Sequence, residues 1–469
     1  MVRGDSFGPA TVTFIINGTP TAPPAIAVPP TSQTVTLGAS VTFGVAATGS
    51  PVPAFQWRKD GTAIASATTA TLTFASVRAT DAGNYTVVVS NSAGSVTSNA
   101  ATLTLSVVTN SPAITTPPLS QFVTPGTPVI FSVAAIGGGL SYQWKKDGSA
   151  IGGANQPSLA LAPASAGSVG FYSVTVTNAA GSVESAVATL TLNEGGTGRL
   201  INVSTRGFVP AGGALTPGFV LQGNATKALV IRAIGPTLGS FGVSGTLADP
   251  VMDVIPLGSS TAIATNDNWG GATAMQSAFA RVGAFPLALA TSTDAAVVTS
   301  LRATGSSGYT VRITSKNSTP PGIALAEVYE EDALTAPVRL VNVSTLGFVG
   351  TAQQALVPGF VIGGTAPKRL LIRAVGPGLA QFGVPGLLAD PQLAVAPLGQ
   401  DFTVASNDNW GNAADLAATF TQAGAFALPA GSKDAAVVVR LPPGGYTVVV
   451  SGVANTTGTA LVEIYDLDP

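Results

Sequence analysis

Cysteine and histidine are both missing from this chain. Without cysteine there is no disulfide framework, no zinc knuckle and no thiol chemistry. Without histidine the commonest general base and metal ligand is gone. Charge is scarce too: charged residues make up 9% of the 469, and 20 basic against 22 acidic residues leave a net charge of −2. That balance excludes a basic nucleic-acid footprint and gives no reason for an anionic membrane surface as partner. No apolar run reaches the roughly 18 residues of a membrane span. The start, Met1-Val2-Arg3-Gly4-Asp5, lacks the apolar core of a signal peptide. The expectation is a leader already removed, or a piece processed from a longer precursor.

What is present is 46% apolar residues in short runs broken by Gly, Pro, Ser and Thr. That much apolar content excludes wholesale disorder, and the length suits about three or four domains. By compositional association, a cysteine-free chain of this kind fits a bacterial secreted or surface β-protein.

Residues 1–24 form a tail. Its segment 10–17 reads as a strand, β-branched and aromatic and ending at Asn17-Gly18. Val12, Phe14 and Ile16 share one face and Ile15 takes the other. A Pro/Thr linker follows, from Thr19 to Pro24. A lone strand is unstable in water, so this one needs a sheet edge. Donation to the next subunit would give a head-to-tail homopolymer. Arg3-Gly4-Asp5 reads as a chance tripeptide.

Residues 25–106 carry short strands at regular spacing. Three landmarks stand out: Trp57 in Phe55-Gln56-Trp57-Arg58-Lys59-Asp60-Gly61, Tyr85 in Asp81-Ala82-Gly83-Asn84-Tyr85, and Asn91-Ser92-Ala93-Gly94. Residues 112–193 repeat them, with Trp144, Tyr172 and Gly181 each 87 residues further on. Both segments resemble I-set immunoglobulin-like domains. The resemblance implies a buried Trp, a tyrosine corner, and valines (Val45 with Val87, Val133 with Val174) where the family has its cysteines. At the second corner Ser168 replaces Asp81, which puts an Asp-based turn there in question.

The remainder is one unit written twice, 199–332 and 339–469. Landmarks recur in order: RLINVSTRGFV at Arg199 and RLVNVSTLGFV at Arg339, then PGFV, IRA-x-GP, ADP, NDNWG, DAAVV, GYTV and a closing A-L-x-E-x-Y. Self-similarity at this length means duplicated domains. Alternation predicts strands near 199–204, 217–222, 227–234, 261–265, 294–302, 308–315 and 323–330. Met275, Phe279 and Val282, like Leu416, Phe420 and Ala423, have helical spacing, with Asn412 expected as N-cap and Asp415 at N3. The fold class is therefore all-β: two immunoglobulin-like sandwiches, then two jelly-roll-like sandwiches with one short helix each. This unit resembles tandem C-terminal repeats in large extracellular proteins of environmental bacteria, a resemblance that brings no catalytic residues with it.

Charges kept in both copies are Arg199/Arg339, Lys227/Lys368, Arg232/Arg373, Asp249/Asp390, Asp267/Asp408, Asp294/Asp434 and Glu327/Glu463. Arg232 sits inside an apolar run, where a charge is costly unless paired. Asp267 or Asp294 is the expected partner, and Asp408 or Asp434 for Arg373. The loops Asn266-Asp267-Asn268 and Asn407-Asp408-Asn409 offer oxygens to calcium, against an Asx-turn with a buried Trp. Trp269 and Trp410 are candidate sugar platforms. Asp249, Asp267, Asp294 and Glu327 could in principle supply a glycosidase pair, yet two equivalent sites without His or Cys point away from an enzyme. No cofactor is expected. Sequons at Asn17, Asn84, Asn202, Asn224, Asn317, Asn342 and Asn455 read as accidents of Thr-rich strands. The expected function is an extracellular structural subunit of a surface filament or layer, or else an adhesin or glycan-binding module.

Overall fold

The computed structural model describes residues 21–106, 110–316 and 320–468. The candidate donor strand, with Val12, Phe14, Ile15 and Ile16, lies outside the described residues. Two compact units are distinguished. One centres on the first immunoglobulin-like domain, and the other holds most of the second together with both repeats.

In the first domain, Gln33–Val35, Ala101–Leu105, Gly83–Asn91, Ala54–Lys59 and Thr62–Ala63 form one sheet in that order. Val41–Gly44 pairs with Thr71–Phe74 in the facing layer. Trp57 is fully buried between them, its indole N–H donating to the Thr69 carbonyl at 2.9 Å. Val45 and Val87 are buried in the same cluster, so burial replaces the covalent staple. Tyr85 stacks on Phe43 at 5.0 Å and donates its hydroxyl to the Asp81 carbonyl at 2.5 Å, closing the corner.

The second domain repeats this chemistry. Trp144 donates to the Gln156 carbonyl at 2.9 Å, and Tyr172 to the Ser168 carbonyl at 2.6 Å. The corner survives the change from Asp81 to Ser168 because its bond uses the backbone carbonyl. The Ser168 hydroxyl accepts from the Ser165 N–H at 2.8 Å, as the Asp81 carboxylate accepts from Arg78 at 2.7 Å. Phe171, where the first domain has Asn84, packs edge-on against Phe402 and Tyr446, and Arg440 lies 4.2 Å over the Phe122 ring. The second domain is thus seated on the second repeat.

Each repeat is an eight-stranded sandwich. In the first, the strands in chain order are Gly198–Val209, Ala214–Gly223, Thr226–Ile234, Pro250–Pro256, Ala264–Asn266, Ala295–Arg302, Gly305–Ser315 and Gly322–Glu330. The first, eighth, third and sixth make one sheet. The second, seventh, fourth and fifth make the other. That connectivity is a jelly roll. Pro250–Pro256, absent from the alternation reading, is bounded by prolines, which strands tolerate at their ends.

The sheets do not stop at the repeat boundary. Gly198–Arg206 runs antiparallel to Gly364–Val357, the second strand of the other repeat. Reciprocally, Thr216–Gln222 runs antiparallel to Leu346–Arg339. Two continuous eight-stranded sheets result, each half from one repeat and half from the other. Equivalent residues meet between them: Leu200 bridges Leu340, Phe208 bridges Phe348, and the hydroxyls of Thr205 and Thr345 bond at 2.8 Å. Each pair is offset by 140 residues, the repeat spacing itself, so the repeats are related by a pseudo-twofold. One apolar core, including Leu200, Phe219, Leu340 and Phe360, fills the space between the sheets of both.

Candidate functional site

Strand Thr226–Ile234 is buried on both faces, which is why it reads as a continuous apolar run. Leu229, Ile231 and Ala233 point into the shared core. Val230 and Ile234 point outward, into a second cluster roofed by helix Thr273–Arg281 and by Trp269, Ala284 and Leu287. By alternation Arg232 belongs to this outer face, fully buried.

Its partner is Glu327, which corrects the expectation of Asp267 or Asp294. Arg232 and Glu327 are opposite each other in the ladder. The guanidinium gives Nε to Glu327 Oε2 at 2.8 Å and Nη2 to the same oxygen, while Nη1 donates to the Phe285 carbonyl at 2.6 Å. Phe285 and Phe279 sit 4.4 Å and 4.8 Å from the guanidinium carbon, a cation–π pair on a desolvated cation. Tyr329 completes the cage by donating to Glu327 Oε1 at 2.8 Å. Burial foremost, with the Glu327 charge, pushes the Tyr329 hydroxyl well above its ordinary pKa. The second repeat rebuilds this from Arg373, Glu463, Phe426, Phe420 and Tyr465. The sequence held the signal: Glu327 and Glu463 are kept in both copies and lie within a strand of otherwise buried character.

Asp294 and Asp434 do other work. Both are fully buried. Asp294 accepts from the Gly235 N–H at 2.8 Å and the Ser292 hydroxyl at 2.7 Å; Asp434 accepts from Gly376 at 2.8 Å and Ser432 at 2.6 Å. Each sits one residue beyond the end of its ladder, so it reaches the turn after IRA-x-G instead of the arginine. Asp267 is half-buried and pairs with Lys316 at 2.7 Å, which holds its carboxyl below the usual range. Asp408 is exposed and forms no ion pair among the described residues.

Of the calcium candidates, Asn266, Asp267 and Asn407 are engaged in bonds within the fold. Asn266 Oδ1 accepts from the Ala296 N–H at 2.9 Å and Asn407 Oδ1 from Ala436 at 3.0 Å, pinning each NDNWG loop to the following strand. Asn268 and Asn409 are exposed loop residues. No cluster of three or more acidic, His or Cys residues suited to a metal occurs among the described residues. Trp269 and Trp410 are only 5% and 7% exposed, and their indole N–H groups bond to Ser292 and Ser432 at 3.1 Å, so neither presents a stacking platform. Asn412 is not the N-cap: it has φ 57°, its side chain accepts from the Gly431 N–H, and helix Ala414–Ala423 starts after Ala413.

A second buried group ties the repeats together. Arg199 donates to the carbonyls of Leu334 and Val338 at 2.8 Å and pairs with Glu330 at 2.5 Å; Lys227 also reaches Glu330 at 3.1 Å. The segment between the repeats is thus clamped. In the second repeat Lys368 pairs with Asp466 at 2.8 Å. Burial above all raises the Asp466 carboxyl, against the pull of Lys368.

An open groove of about 470 Å³ lies where the repeats meet, bordered by Gln222, Ser306, Asn342, Gln422 and Tyr465. Amide and hydroxyl groups share the lining with apolar residues such as Val220, Val341 and Leu467, and Gln222 Oε1 is buried without a hydrogen-bond partner among the described residues.

Residues 23–91 match the immunoglobulin domain family. The chain is 38% identical over 125 residues to Endoglucanase C of Cellulomonas fimi, an overlap covering 25% of this chain and 11% of that protein. It is 32% identical over 143 residues to Roundabout homolog 1 of Mus musculus, covering 27% of this chain and 9% of that protein. The chain therefore spans only a small fraction of the curated relatives it matches. Among solved structures, a chimeric titin Z1Z2 functionalized with a KLER exogenous peptide from decorin aligns at 27% identity, over 37% of this chain and 99% of that one, with a TM-score of 0.31. The match to the immunoglobulin domain falls on the segment with the buried Trp57 and the Tyr85 corner. No helix among the described residues is long and apolar enough to cross a membrane.

Proposed function

We propose that the chain is a non-enzymatic structural protein working outside the cell, in which immunoglobulin-like domains are carried by a closed pair of jelly rolls. The observation that carries this reading is the fate of the repeated charges. Arg232 with Glu327, Lys227 with Glu330, and Asp294 with the Gly235 turn are all spent inside the fold. What duplication preserved is architecture. In the finer form of the proposal the chain is a bacterial filament or layer subunit, assembled head-to-tail by donation of strand 10–17. Electron microscopy of the purified full chain tests it: regular polymers are expected, and their persistence after deletion of residues 1–18 would refute strand donation.

The second reading is an adhesin or glycan-binding module. The groove with Gln222, Ser306, Asn342 and Gln422 favours it, because amide and hydroxyl groups set among apolar residues suit a hydroxyl-rich ligand with apolar ring faces. A glycan array answers it: a hit lost on Gln222→Ala supports this reading, and a blank array removes it.

A further inference from the structure

We infer that the repeat is a self-pairing module: its first and second strands form a surface built to receive another copy of the same unit, and the two copies here are a tethered dimer. The argument starts from the isolated jelly roll. Its two sheets each end on one of these strands, Gly198–Val209 and Ala214–Gly223, with unpaired N–H and C=O groups along the edge. Those two strands contribute Leu200, Val203, Phe219 and Leu221 to the core, all within 3% of complete burial. In the chain both edges are covered by the opposite edges of the second repeat, first strand on second and second on first.

The contact is isologous. Thr205 meets Thr345, Leu200 meets Leu340, and Phe208 meets Phe348, their rings 6.2 Å apart. A self-complementary patch of this kind closes on itself and makes pairs, whereas a heterologous patch makes chains. Small residues keep the crossing close: a Cβ on Gly207 would lie 2.7 Å from Leu215 and 3.1 Å from Leu356 of the other repeat. The repeats differ in their exposed charges, yet these meeting residues are identical in both. The inter-repeat segment contributes tethering but no strand to either ladder. Cutting it leaves every pairing in place.

The test places a protease site after Ala333 in the full chain. After cleavage the two pieces are expected to co-elute at the mass of the intact chain and to part only in denaturant. Refolded alone, the C-terminal piece is expected to show twice its own mass by light scattering, or to become soluble only when the N-terminal piece is added back. Native separation of the pieces overturns the inference, as does a C-terminal piece that refolds to a monomer. Hydrogen exchange on the uncut chain gives an independent check. Amides of Gly198–Arg206 and Thr216–Gln222 should exchange as slowly as those of Thr226–Ile234. Exchange as fast as at the edge strand Ala264–Asn266 would also overturn it.

Discussion

Replacing Arg232 by methionine removes a cation that the fold has fully desolvated. Glu327 is left with the Tyr329 hydroxyl as its remaining hydrogen-bond donor, in a site where its side chain is 6% exposed. Breaking a buried pair from one side costs about 3–5 kcal/mol, because the surviving charge is uncompensated. For a body of this size each kcal/mol moves the melting temperature by about 2–4 °C, so a fall of about 10 °C is expected. Scanning calorimetry on the full chain reads it as a shift of one transition while those of the immunoglobulin-like domains stay put. The double variant Arg232→Met with Glu327→Leu removes both charges and should recover most of the loss, since apolar replacement of a buried pair is often neutral. Arg373→Met should lower the same transition, because the two repeats share one core. A shift below about 2 °C for Arg232→Met, or a double variant as unstable as the sum of the singles, would refute the reasoning.

Other outcomes follow from the same geometry. Val45→Cys with Val87→Cys should form a disulfide on oxidation and stabilise the first domain by about 2–4 kcal/mol, checked by calorimetry with and without reductant. Tyr172→Phe removes the corner bond to Ser168 and should cost about 1 kcal/mol, measured by urea titration of the second domain's transition. Burial raises Tyr85 and Tyr172 to about 12 and raises Tyr309, Tyr329, Tyr446 and Tyr465 as well. A pKa raised in the folded state gives stability that is complete below the unfolded value of 10.0 and is lost as pH climbs toward the folded value. Ultraviolet titration should therefore show these six tyrosines ionising late, in a cooperative step that coincides with unfolding. Melting curves with calcium and with chelator should superimpose; a rise with calcium would reopen the NDNWG loops.

Much of the fold was legible because local rules and burial agreed. The 87-residue offset of Trp57 and Trp144 and the alternation within each repeat were enough for sandwiches, and the helical spacing of Met275, Phe279 and Val282 for the short helix. The pairing between repeats was not legible, because a ladder's partner is set by three-dimensional closure and leaves no mark on its own strand. RLINVSTRGFV alternates in the same way whether its neighbour is its own second strand or the other repeat's. The partner of Arg232 failed for a related reason. Asp267 and Asp294 stand in conspicuous motifs, while Glu327 hides in a strand, and the register that sets it opposite Arg232 is a tertiary fact. Asn412 misled because its side chain suits an N-cap, yet it equally suits the left-handed turn it occupies.

The two copies also separate structural charge from incidental charge without any second protein. Where a charge is buried, the copies agree: Arg232 and Arg373, Asp294 and Asp434, Lys227 and Lys368. Where it is at least partly exposed, the pairing diverges: Asp267 pairs with Lys316, while its counterpart Asp408 has no ion pair among the described residues. Asp249 is approached by Lys316 at 4.0 Å, but its counterpart Asp390 takes its cation from Lys433, at a different place in the loop. The Arg312–Asp253 pair at 2.7 Å has Val449 and Ala394 at the matching ladder positions, where no pair exists. Exposed pairs are worth about 0–1 kcal/mol, so drift removes them freely, while loss of one buried partner costs several times as much. Retention of a charge together with its partner across the duplication therefore measures desolvation. It follows that a ligand-binding role, where the chain has one, is to be sought among features the copies do not share. The groove at Gln222 and Gln422 is partly of that kind: Asn342 and Tyr465 have equivalents in Asn202 and Tyr329, but Gly363 and Pro443 match Gln222 and Ser306, and Arg281 with Glu331 forms an ion pair where the matching residues are Gln422 and Leu467.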